Sequence, residues 1–162
     1  MGWTYPQLLG AISEAKFEEL YGACSRKVRN MLEGMFARKT RSGRMVSIRK
    51  GNRKDDALAV REGIVASGDE KMAEELFKTW LYEKRPMLKA ALDFFAIPND
   101  EGITESELSP LENADVAALE KLVAELESRK FPLEDIAIYL AFMQVKAFDE
   151  TPRLADAVRG PV

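Results

Sequence analysis

Apolar residues recur at helical spacing along almost the whole chain, and the pattern fails at one long interval. From Ser13 to Arg38, Phe17, Leu20, Tyr21, Cys24, Val28, Met31, Leu32 and Met35 fall within about 120° of arc at roughly 100° per residue. That is the signature of a helix with one buried stripe. The same spacing predicts helices over 5–10, 56–66, 69–83, 86–95, 113–130 and 132–148. After Lys39 it stops. Residues 44–49, Arg-Met-Val-Ser-Ile-Arg, alternate in polarity between a Ser-Gly and a Gly-Asn pair, which predicts a hairpin or an extended arm. The fold class read from this pattern is all-α. It is an irregular bundle of about six or seven helices in a single domain, 1–162, with a basic extended arm or short hairpin inserted at 39–54 and a flexible or loosely packed tail over 149–162.

Local signals support the boundaries. Thr4 and Gln7 have the spacing of a capping box, as do Thr104 with Glu107 and Ser109 with Glu112. Asp55 and Asp56 suit the positive end of a helix whose packed side would hold Leu58, Arg61, Ile64 and Val65. The segment 132–148 is apolar nearly all round, so it belongs at the centre of the bundle. If it were left exposed, Ile138, Phe142 and Val145 would mark an oligomer interface.

Charge singles out the interruption. The chain carries 24 Lys and Arg against 27 Asp and Glu, a net charge of -3. Residues 25–54 hold eleven bases and one acid, a balance of +10, while the remainder holds thirteen bases and twenty-six acids, a balance of -13. Eight of the eleven bases are Arg38, Lys39, Arg41, Arg44, Arg49, Lys50, Arg53 and Lys54. These are the candidate binding residues, for phosphate or for an acidic partner. Arginine predominates, and its guanidinium can fork onto phosphate or carboxylate oxygens. The arm lacks the aromatic residues that stack on single-stranded bases, and no helix-turn-helix, RNA-recognition or zinc-finger signature occurs.

Other chemistry finds little support. The chain contains no histidine, which removes the usual neutral-pH general base and the commonest metal ligand. Cys24 lies in the apolar stripe and reads as a buried, inert thiol. Trp80, Phe77, Phe94 and Phe95 have core spacing. The acidic doublets Glu18–Glu19, Asp55–Asp56, Glu74–Glu75 and Glu134–Asp135 point about 100° apart on a helix, so neither member helps the other act on one substrate atom. The loop 97–108 resembles a calcium-binding loop in composition, but setting Gly102 at the sharp turn brings Glu107 one residue early. Pro6 stands where an N-terminal acylation signal needs Ser or Thr, and no apolar run reaches bilayer length.

These readings lead to a cytoplasmic, non-enzymatic helical binding or assembly module with no catalytic residues, metal, cofactor, membrane association or identified small-molecule substrate. Its partner would be another protein or a second copy, with the arm as docking element. The alternative is a nucleic-acid-binding accessory protein whose arm contacts phosphates.

Overall fold

A computed structural model of the chain describes residues 3–37 and 53–160, with the backbone alone described at residue 37 and at 53–55. The arm residues Arg38, Lys39, Arg41, Arg44, Arg49 and Lys50 therefore lie outside the described residues. Those described form ten α-helices, one π-helical turn, one 3-10 turn and no strand. Among them, no helix is long and apolar enough to cross a membrane. The chain divides into two compact units, Thr4–Trp80 and Leu81–Val162, the latter joined by Met1–Trp3.

The first unit begins with α1, Tyr5–Ala11, entered through the expected capping box. Thr4 Oγ1 accepts from the Gln7 amide at 3.2 Å and Gln7 Oε1 accepts from the Thr4 amide at 2.9 Å. The long helix expected from Ser13 to Arg38 is instead three pieces: α2, Glu14–Ala23; α3, Arg26–Leu32; and a π-helical turn, Glu33–Ala37. Ser25 makes the first break. Its hydroxyl accepts from the Val28 amide at 3.2 Å, capping a new helix in place of continuing the old one. Leu20, Tyr21, Cys24 and Leu32 remain buried, but Met31 and Met35 are 48% and 43% exposed. The stripe therefore faces the core along only part of its length.

α4, Arg53–Ser67, is the hub of this unit and packs against α1, α2 and the π-helical turn. Its buried face is Ala57, Val60 and Ile64, whereas Leu58 is half-buried and Val65 exposed. The expected face was thus rotated by about one residue position. Arg61 joins α4 to α1. Its guanidinium donates from Nε to the Leu9 carbonyl at 3.1 Å and from Nη2 to the carbonyls of Gly10, at 2.9 Å, and Ile12. Those carbonyls lie at the end of α1, where helical partners run out. α5, Glu70–Tyr82, contributes fully buried Ala73, Leu76, Phe77 and Trp80.

The second unit is built around α8, Val116–Ser128, which packs against α6, Arg85–Phe94, against α9, Leu133–Phe142, and against a 3-10 turn, Lys146–Glu150. The short α7, Ser109–Glu112, supplies buried Leu111. Neither capping box expected before α8 forms. Leu108 occupies the cap position of α7, and Thr104 Oγ1 accepts from Ser106, two residues on, in a turn. Asp115 caps α8 by accepting from the Ala118 amide at 2.8 Å.

α9 is buried along its length, as its all-round apolarity implies. Ile138, Phe142 and Val145 are covered by the chain itself, so the exposure that would make them an interface is not present. The helix ends at Phe142, six residues earlier than expected from its composition, and Gln144, two residues on, has a left-handed φ of 55°. Within the expected tail, 149–162, Pro152–Val158 forms α10, which lies on α9 with Leu154 and Val158 buried.

Candidate functional site

α3 presents two different surfaces, and its sequence dictates both. At about 100° per residue, Arg26, Arg29, Asn30 and Glu33 share one side, while Lys27 and Met31 share another. The first side lines a cleft of about 460 Å³ in the first unit, completed by Glu18, Tyr21 and Gly22 of α2 and Ala57 of α4. Arg26 and Asn30 are exposed there and Arg29 is half-buried. Among the described residues, neither Arg26 nor Arg29 forms a side-chain hydrogen bond or ion pair.

One wall of the cleft is fixed by Tyr21. Its hydroxyl lies 2.8 Å from Glu33 Oε2 and 3.3 Å from the Arg29 carbonyl. Burial, then the hydrogen bond to Glu33, raises the phenol well above its ordinary value of 10.0. Tyr21 therefore serves as a neutral donor that ties α2 to the start of the π-helical turn. Beside it, Glu18 lines the cleft while the adjacent Glu19, itself exposed, reaches toward Trp80. Glu19 Oε2 accepts from Trp80 Nε1 at 2.5 Å and lies 3.1 Å from the buried Lys16 ammonium, itself 5.4 Å from the Trp80 ring centroid.

On the other side, exposed Met31 and Met35 occupy successive turns with exposed Lys27 nearby, immediately before the basic segment in sequence. The candidate binding residues Arg53 and Lys54 fall in the first turn of α4. Sequence periodicity missed this surface because it assigned both methionines to the core. The Ser25 cap was the available signal, since a serine before Arg26 offers a fresh helix start.

The remaining candidates resolve into structural roles. Cys24 is buried, with Sγ 3.7 Å from the Leu20 carbonyl. Asp135 is buried, 3.5 Å from Lys84 Nζ, and Glu74 pairs with Lys78 at 3.0 Å. The calcium-like loop contains a two-residue reversal: Asp100 and Ile103 exchange backbone hydrogen bonds of 2.7 and 3.0 Å, with positive φ at Glu101 and Gly102. Gly102 is needed for space as well, because a Cβ there would lie 2.9 Å from the Arg85 carbonyl oxygen. Among the described residues, no group of His, Cys, Asp and Glu is arranged to hold a metal ion.

Comparison with family models, with curated proteins and with solved structures finds no match to this chain, so its functional reading rests on these residues.

Proposed function

We propose that this chain is a non-enzymatic helical binding or assembly module that engages an acidic protein surface carrying apolar side chains. The observation that carries this reading is the exposure of Met31 and Met35 beside Lys27, at the head of the basic segment. Methionine is unbranched and polarizable, and exposed pairs of it adapt to irregular partner surfaces. Phosphate backbones need positive charge but gain little from exposed thioethers. An acidic protein with apolar side chains uses both. A second copy has the charge for this role, because the chain outside 25–54 carries -13.

Fluorescence anisotropy with a peptide of alternating Glu and Leu, a polyglutamate of equal charge, duplex DNA and single-stranded RNA separates the readings. The Glu-Leu peptide is expected to bind tightest, and Met31→Ser with Met35→Ser to reduce it to the polyglutamate level. Tighter nucleic-acid binding, unaffected by the methionine changes and falling with a log-log salt slope of about -5 for some six phosphate contacts, would overturn this reading in favour of phosphate recognition.

A further inference from the structure

The cleft on the opposite side of α3 contains features that packing does not explain. Gly22 lies within α2, yet its φ is not left-handed, and a Cβ placed on it would meet nothing within 4 Å. Neither backbone conformation nor a close neighbour requires glycine there. What its missing side chain does provide is open space in the cleft. The opposite wall passes from α3 into a π-helical turn at Glu33, and such turns recur at functional sites. Tyr21 holds that junction in place through its bond to Glu33.

The described lining carries both signs of charge. Among the described residues, Arg26 and Arg29 offer guanidinium groups, Glu18 and Glu33 carboxylates, and Asn30 an amide. A polyanion such as a phosphorylated ligand would meet both glutamates, and a polycation would meet both arginines. A ligand bearing both signs is matched. The volume of about 460 Å³ falls in the usual range for small-ligand sites.

We propose that this cleft binds a compact zwitterion of short-peptide size, its carboxylate held by Arg26 and Arg29 and its ammonium by Glu18. The site is separate from the methionine surface and does not depend on it.

Titration of the isotopically labelled full chain with the dipeptide Lys-Glu, followed by amide NMR, tests the assignment, with acetate and methylammonium as single-charge controls. Saturable shifts are expected at Gly22, Arg26, Arg29 and Asn30, with both controls at least tenfold weaker. Gly22→Leu fills the cleft with a better helix former, so it should weaken Lys-Glu binding at least tenfold without lowering the denaturation midpoint. Arg29→Gln should weaken it comparably, while Met31→Ser leaves it intact. Absence of saturable shifts, equal binding of acetate, or full binding by folded Gly22→Leu would each overturn the proposal.

Discussion

A Cβ on Gly63 would collide with Cδ1 of Phe36 and lie 2.9 Å from its Cβ, so the π-helical turn rests directly on the backbone of α4. The clash involves the base of the Phe36 side chain as well as its ring, and rotation of the ring alone does not relieve it. Gly63→Ala is therefore expected to destabilise the chain by about 1–3 kcal/mol, the usual cost of overpacking. Urea denaturation measures it. In a Phe36→Ala background the ring is gone and only the Cβ contact at 2.9 Å remains, so the same substitution should cost clearly less than in the unaltered chain. An unchanged midpoint for Gly63→Ala alone would show that the two elements do not pack this closely.

α9 ends with a residue poorly suited to its backbone. The Gln144 amide donates to the Ala141 carbonyl at 3.1 Å and the Val145 amide to the Leu140 carbonyl at 3.3 Å, the pair of bonds that closes a helix when the intervening residue is left-handed. Glycine adopts that conformation without steric cost, and other residues at a cost of about 1–2 kcal/mol. Part of this gain is offset by glycine's greater freedom when unfolded. Gln144→Gly is expected to raise stability by about 0.5–1 kcal/mol, read as a higher denaturation midpoint, whereas Gln144→Val should lower it.

The same geometry explains which boundaries were legible in the sequence. Where glycine marks the turn, at Gly68, the end of α4 was read to within one residue. α6 and α8 end in the same way at Ala96 and Lys130, both left-handed, and neither residue type announces a stop. At Lys130 the following Phe-Pro pair supplied the signal instead. At Gln144 nothing did, and the expected helix ran on to Phe148. Apolar spacing recovered the all-helical class and the core positions Leu76, Phe77 and Trp80, because burial of large side chains dominates those segments. It misassigned Met31 and Met35 because periodicity assumes a continuous helix, and the Ser25 cap resets the phase. The cleft left almost no trace, since its residues come from three helices and its clearest mark, Gly22, looks in sequence like an indifferent helical glycine.

The buried tyrosines predict how stability changes in alkali. Burial raises Tyr21, Tyr139 and Tyr5 above their ordinary value of 10.0, with the Glu33 hydrogen bond adding to the effect at Tyr21 and Glu74 at Tyr5. Each folded-state phenol keeps its proton at a pH where the unfolded chain releases it. The unfolded state then binds fewer protons, so stability should hold below pH 10 and decline as pH rises above it. Glu33→Gln removes the carboxylate charge that opposes phenolate formation at Tyr21 while retaining an oxygen acceptor. Its expected effect is a change in the Tyr21 ring resonances at neutral pH with those of Tyr139 unchanged, measured by NMR of ring-labelled tyrosine. Unmoved Tyr21 resonances would mean that Glu33 does not face the hydroxyl and that the cleft wall is held in some other way.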